Sequence, residues 1–528
     1  MKPKKHSTRV LRVAVTTLLI GVTILWRVQS YPSEARDSQS SDKQSKTSSS
    51  GGTRSQSEIG KQVQIDLDKA VRVALPELNG DLMPADFQTP DGKSGWIVKL
   101  PGNRPIATPA YWDGKLFVGG GYGSHEFYAI NAETGAVVWQ IKTSDDGPTA
   151  AVVEDGCVAF NTESCTVVVC DAKSGKVLWQ EWLGDPLMSQ PAIYNHRLYI
   201  AHPAGQRNSN ASQQSSSSDR SSYRLLCADL KTGTHIWDQE IPSDVISAPI
   251  LDSGRVHFTC FDGTSFCLTA NNGTLVWKKA NSGTSAPLVA GAEVIQTIKV
   301  QGSIIPLEGL KKIDSNNGNE KDKKLLGQSD AKYLDKNKGG LIGGAGPGAG
   351  AGVSSAEVVQ IDASVGFSSP PPAAKLDAAN KQVGVSTVVG GWSYQGSRPA
   401  FSRGRMMNAQ GRFLNSIHTT DGKLSWRAEV AGAGVNGDSQ VFSPPALGGQ
   451  YLYLCSLSGH LLSIRQSDGE IGRLYMFKQL MAFQPALARG NIYVGTFNGL
   501  LICLKLGDPD VDGWYAWGGN AQHNKIGL

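Results

Sequence analysis

The stretch that most constrains this chain is 171–179, DAKSGKVLW, because it recurs. A small polar turn closes on Gly175, and a β-branched run then ends in Trp179. The same figure appears as NAETGAVVW ending at Trp139, DLKTGTHIW at Trp237, ANNGTLVW at Trp277 and TTDGKLSW at Trp426. A sixth copy, QSDGEIGR, ends in Arg473 where the others carry tryptophan. Short alternating segments precede the turns (FYAI, VVVC, LLCA, FCLT, LNSI, LLSI), so each unit reads strand, glycine turn, strand. A period of about 40–45 residues with four short strands per unit is the signature of a β-propeller blade.

The repeat is expected to build an all-β, eight-bladed propeller of four-stranded antiparallel blades over residues 95–506. Blades one to four read as about 105–142, 148–183, 189–241 and 247–278. Blade five opens at Ser285, pairs over 293–300 and resumes at 357–362; blades six and seven span about 392–430 and 441–477. The last unit, 483–506, supplies only three strands, and GWIVKL at 95–100 is a spare Trp-bearing strand at the other end. Joining them closes the ring and removes the unpaired edges of a linear array.

Outside the ring, an apolar run at 13–26 follows Lys2, Lys4, Lys5, Arg9 and Arg12. It reads as a signal peptide or an uncleaved membrane anchor within residues 1–30, which makes the chain exported, periplasmic or anchored facing the periplasm. Residues 31–64 read as a Ser-rich linker, and 65–94 as an N-terminal packing segment, either a short helix or extended. Deleting residues before 90 is therefore expected to leave the fold intact. The inserts at 208–222, 301–356 and 366–382 are disorder-prone in composition, and 34–58, 208–222 and most of 311–354 are expected to lack stable structure. In the tail 507–528, Trp514 and Trp517 are expected to pack on the ring.

The glycine-turn and tryptophan figure resembles the pyrroloquinoline-quinone-type (PQQ-like) repeat over about 95–506. That resemblance implies that Trp96, Trp139, Trp179, Trp237, Trp277 and Trp426 dock between neighbouring blades, each burying roughly 150–250 Å². Two kinds of relative share the repeat: quinoprotein alcohol dehydrogenases and the exported scaffold of outer-membrane β-barrel assembly. The dehydrogenases carry adjacent bridged cysteines beside the quinone, and a calcium held by Glu, Asn and Asp near an Asp base. Here no two cysteines are adjacent, and no segment matches the calcium or base motifs. The expectation is no catalytic residue, no metal and no cofactor; PQQ and calcium belong to the alternative, a dehydrogenase. A carbohydrate or small-ligand binder is a further alternative.

The cysteines have a packing explanation. Six residues before each turn glycine stand Ala129, Val169, Cys227, Cys267, Ser416 and Ser463, with Cys503 equivalent in blade eight. Cysteine there acts as a small buried hydrophobe. In blade four, a hairpin with Gly263-Thr264 at its tip puts Cys260 opposite Cys267, and both are expected to stay free thiols.

Propeller loops alternate between two faces. Four irregular stretches (119–127, 161–165, 144–150 and 183–191) fall on one face of blades one to three, and the larger two inserts open there too. Candidate binding groups on that face are His125, Glu126, Asp145, Asp146, Asn161, Glu163 and Asp185. Asp and Asn in such loops also serve their own turns. Carboxylates so clustered suit a hard cation, yet the EF-hand spacing is absent. Gly119-Gly120-Gly121-Tyr122-Gly123 precedes a strand rather than a helix, so no phosphate-binding helix N-terminus follows it. The net charge of +5 is scattered and excludes a nucleic-acid face. The reading is an exported, non-enzymatic scaffold for an envelope protein partner, with no nucleic acid, membrane contact only through the N-terminal segment, and a monomeric state.

Overall fold

The computed structural model describes residues 60–527 except Tyr122, Asp146, 163–165, 185–188, 205–222, Asn281, 301–306, 326–397, 411–412 and 432–441. Eight antiparallel sheets form the blades of a propeller. Blades one to seven comprise 110–142, 152–182, 192–241, 250–279, 288–325, 400–431 and 446–476. Blade eight takes three strands from 486–505 and its fourth from the N-terminal side. This strand pairs Leu500 with Lys99 and Cys503 with Trp96, closing the ring.

The repeat is legible atom by atom at each turn. Asp171 Oδ1 accepts from the backbone N–H of Lys173 and Ser174 at 3.1 and 2.8 Å, and the Ser174 hydroxyl adds a third bond at 2.7 Å. These bonds hold the Asp171 carboxyl below its ordinary value. Gly175 takes φ 73°, a left-handed conformation that favours glycine. It is required for a second reason: a Cβ there would sit 2.8 Å from Trp139 of the preceding blade. Trp139 Nε1 in turn donates to Ala172 O at 3.3 Å. The same bond joins Trp96 to Ala132, Trp179 to Leu230, Trp237 to Ala270, Trp277 to Ser315 and Trp426 to Gln466. Each tryptophan thus docks under the next blade's turn. Directly across the strand from it stands the small residue: Ala129, Val169, Cys227, Cys267, Ser416 and, for Trp96, Cys503.

Blade five departs from the sequence reading. Its third and fourth strands are Leu307–Asp314 and Glu320–Leu325, joined by a turn on Gly318 that packs against Trp277. The segment 357–362 is therefore not its third strand, and 307–325 is not part of a structureless insert. The turn escaped notice because Asp322, opposite Lys312, stands where the tryptophan is expected. The rest of the insert (326–356), with 208–222, 366–382 and 1–59, lies outside the described residues.

The N-terminal side differs too. The first described strand begins at 61, inside the stretch read as linker. Strand β1 (Lys61–Asp66) pairs in parallel with the outer strand of blade six, and β2 (Val71–Arg72) does the same on blade seven. Between them lies a single 3-10 turn, Leu67–Lys69, so the packing segment is extended rather than helical. Strand β3 (Ala85–Gln88) then pairs antiparallel with β4 (Ser94–Lys99), the ring-closing strand. Blades six, seven and eight thereby gain a fifth strand. Ile65, Leu67, Val73 and Phe87 are buried in their shared core, so residues before 90 belong to the fold.

In blade four the hairpin register is shifted from the expected one. Cys260 N–H donates to Thr264 O at 2.8 Å, which makes Phe261, Asp262 and Gly263 the loop. Cys267 consequently opposes His257, not Cys260. Phe258 and Phe266 stack with centroids 4.9 Å apart and anchor this register. The two thiols fall in different core layers, Cys260 with Tyr199 and Cys267 with Trp277.

Candidate functional site

The C-terminal tail decides which part of the ring is open. It crosses the axis and hydrogen-bonds to the innermost strands in turn. Trp514 exchanges backbone bonds with Leu487 of blade eight, and Tyr515 O accepts from Tyr111 of blade one. Ala521 O accepts from Ile193 and Gln522 O from Leu251, while the Gln522 side chain donates to Glu154 of blade two. Asn524 bonds Val289 through both its side-chain atoms, and Gly527 donates to Phe401 of blade six.

At the centre of this plug lie Trp517 and His523, essentially without solvent contact. Arg398 donates to Gly518 O at 3.1 Å and Asn524 Oδ1 at 2.9 Å, with its guanidinium over the Trp517 ring. Burial lowers the Arg398 pKa to about 9 and pushes His523 down to about 4. His523 has Trp517 O at 2.8 Å and Pro191 O at 2.9 Å, yet a neutral imidazole donates to only one of them. These groups are spent on holding the tail.

On the loop face of blades one to three, the predicted residues separate into two kinds. Asn161 is fully buried, accepting from Thr149 Oγ1 at 2.7 Å and donating to Ser189 O at 3.2 Å. The Asp145 carboxylate accepts from Thr162 Oγ1 and from Thr166 Oγ1, tying the connector between blades one and two to blade two. Both residues serve the scaffold. His125 and Glu126 instead remain at the surface, His125 exposed and Glu126 half-buried. Glu126 Oε2 accepts the His125 backbone N–H at 3.1 Å, and His125 O accepts from Thr143. Asp146, Glu163 and Asp185 lie outside the described residues. Among the described residues, no three His, Cys, Asp or Glu side chains gather as a metal site. Gly119, Gly120 and Gly121 are packing devices: a Cβ on Gly119 would lie 2.3 Å from Pro148 O, where blade two begins.

One residue escaped the sequence reading. Trp182 ends the outer strand of blade two (Val177–Trp182) at the loop face and is 60% exposed. It opposes Thr166, the residue that holds Asp145. The equivalent position in other copies is Lys142, Glu240, Ala280 or Glu429, so Trp182 is not demanded by the repeat. The signal was a second tryptophan three residues after the docking one. An exposed aromatic of this size is the residue type that anchors protein interfaces. Its neighbour Glu181 is occupied by His235 Nε2 of blade three at 2.8 Å.

A cavity of about 360 Å³ lies on the opposite rim, between the N-terminal segment and blade seven, lined by Gln64, Asp66, Lys69, Asp91, Arg473 and Tyr475 among others. Asp91 accepts from Thr89 and from Tyr475 OH.

Comparison with known proteins bears on the repeat. The family described as outer membrane protein assembly factor BamB matches twice, over residues 82–212 and 212–342. The chain is a propeller of PQQ-like repeats. A BamB of Yersinia pestis is 22% identical over 168 residues, 29% of this chain, and the match spans only 38% of that relative's length. Sqt1 of Saccharomyces cerevisiae superposes with a TM-score of 0.50 at 8% identity, covering 78% of this chain and 98% of its own. The quinohemoprotein alcohol dehydrogenase of Comamonas testosteroni gives 0.49 at 12%, covering 85% and 79%. At such identities a structural likeness speaks for the fold alone.

Proposed function

We propose that this PQQ-like propeller is an exported, non-enzymatic scaffold of the cell envelope that binds a protein partner through the loop face and rim of blades one to three. The observation that carries the reading is Trp182, a large exposed aromatic that the repeat does not require, at the margin of a face whose polar groups His125 and Glu126 stay accessible. An apolar anchor within a polar surround is the usual anatomy of an interface core and its rim. The axis, the other concavity a propeller offers a ligand, is occupied by the chain's own tail. The relatives' description as outer membrane protein assembly factors supports a partner engaged in assembling outer-membrane proteins. The basic and apolar N-terminal segment supports export.

The test pairs binding with a cofactor control. Trp182→Ala and His125→Ala should weaken capture of one envelope partner about tenfold or more, with unchanged thermal stability. Purified protein mixed with PQQ and calcium should show no bound-quinone spectrum. A stoichiometric quinone spectrum would replace this reading with the dehydrogenase one.

A further inference from the structure

The junction of blades seven and eight departs from the tryptophan junctions for a reason of topology. A docking tryptophan needs the turn of the next blade: a Cβ on Gly469 would come within 2.7 Å of Trp426, and one on Gly135 within 2.6 Å of Trp96. Blade eight offers blade seven no such turn, because its third strand (Leu500–Lys505) and its fourth (β4) come from opposite ends of the chain. The two ends are tied there by Lys93 Nζ, which donates to Leu506 O at 3.0 Å. At the docking position of blade seven, opposite Ser463, stands Arg473. The cavity of about 360 Å³ lies at this seam, with Arg473 in its wall. We propose that the seam cavity is a binding site for a small carboxylate with an apolar body.

Some groups of the lining are already bonded, and some are not. Asp91 Oδ1 accepts from Thr89 Oγ1, and Oδ2 accepts from Tyr475 OH at 2.8 Å. Desolvation opposes the Asp91 charge, but these bonds prevail and hold the carboxyl below its ordinary value. Asp66 Oδ1 accepts the Asp68 backbone N–H at 3.1 Å, and Oδ2 pairs with Lys69 at 3.5 Å. The acidic groups therefore serve the scaffold. Arg473 is half-buried beside Tyr475 and Asp91, and no ion pair holds its guanidinium among the described residues.

A guanidinium is a planar fork of donors that matches a carboxylate in bidentate fashion. At the mouth of the cavity, the exposed Gln64 and Lys69 add donors able to swing onto a bound anion. Val71 and Ile471, both half-buried, supply the apolar wall. The volume lies at the lower end of the ~300–1,000 Å³ of small-molecule sites, which selects a compact acid. Asp91 is the competitor for Arg473, and its charge limits the affinity.

A free acid and the C-terminus of a peptide offer the same chemistry, and the test separates them. Titration calorimetry on the full-length chain uses isocaproate for the first and N-acetyl-leucine for the second, with N-acetyl-leucinamide as the uncharged control. At least one acid should bind, and the amide should bind at least about tenfold more weakly for want of a charge-assisted bidentate bond. Tighter binding of isocaproate identifies a free acid as the ligand type, and tighter binding of N-acetyl-leucine a peptide end. Arg473→Ala should weaken binding by about the same factor as removing the ligand's charge. Arg473→Trp should fill the cavity and abolish binding, whereas Asp91→Asn, which removes the competing charge, should tighten it. Binding by neither acid, equal binding of the amide, or undiminished binding by Arg473→Trp overturns the proposal. Asp91→Asn keeps the claim testable should the Arg473 variants fold poorly: unchanged or weaker binding there also overturns it.

Discussion

The rim of blades six to eight and the rim of blades one to four are built from the same repeat and finished differently. On the first, β1, β2 and β3 lie against the outer strands, and Trp426 and Trp96 lose all solvent contact. On the second no described strand covers the outer strands, and Trp139, Trp179 and Trp237 stay half-buried, while Trp277 of blade four is buried. Of the nine large apolar side chains exposed among the described residues, six follow the same division, while Met83, Leu480 and Tyr515 lie elsewhere. Val138, Val177, Leu178, Trp182, Ile236 and Leu275 all belong to outer strands of blades one to four. An open edge with apolar neighbours is a liability unless something uses it. The difference therefore teaches where a partner is to be sought: on the half that the described residues leave uncovered.

The largest effect should come from removing the cover. Deleting residues 1–90 exposes Ile65, Leu67, Val73 and Phe87, at about 1.5–3 kcal/mol for each fully buried side chain. That sum approaches the entire stability of an ordinary domain, so the truncated chain should aggregate or unfold. A soluble truncation with an unchanged urea midpoint would erase the distinction between the two rims.

Next in size is the tryptophan series. Trp426→Ala should cost about 3–5 kcal/mol by urea denaturation, and Trp139→Ala about half as much, since its ring already meets water. Equal costs would mean that the fifth strand adds nothing to the docking site. The turn glycines sharpen the same comparison. Gly469→Ala, whose Cβ would meet Trp426 at 2.7 Å, should cost more than Gly156→Ala, which has comparable φ and open space. The difference isolates the steric part, about 1–3 kcal/mol.

Acid should act more gently, and on both halves. Burial pushes His257 down to about 3 and His523 to about 4, and it lowers His202 and His460 as well. Each ring stays neutral in the fold where the unfolded chain, with an ordinary value of 6.5, takes up a proton. Their contribution to stability is thus complete above pH 6.5 and is lost as pH falls from there toward about 4 for His523 and about 3 for His257. Thermal midpoints should fall across that window, and His257→Asn should flatten the fall. A midpoint independent of pH from 7 to 4 would contradict the neutral, buried placement.

The fold was readable in the sequence because its defining contact is written twice, once as the turn glycine and once as the tryptophan that fills the space above it. Where one half of that signature is missing, reading failed. Asp322 in place of tryptophan hid blade five's last strand, although Asp314 and Gly318 carry the turn correctly. The N-terminal strands have no repeat to announce them, and β1 shows only Val63 and Ile65 in alternation. The plug was unreadable for a different reason. Residues such as Gly518, Gly519, Asn520 and His523 look like loop, and only the ring around them supplies the partners that bury them. At the loop face, Asp145 and Asn161 looked like binding groups because a polar residue in a loop does not reveal whether its bonds are already made. Trp182 was visible only as an extra tryptophan, since exposure is a property of the packed rim.

The central claim is that a partner reads the uncovered half of the ring. A photo-crosslinking residue placed at Trp182 or His125, and separately at Gln62 on the exposed side of β1, tests it most directly in intact cells. The account predicts one common envelope protein linked from positions 182 and 125 and none from 62. Crosslinking of equal yield from all three positions, or from 62 alone, would contradict it.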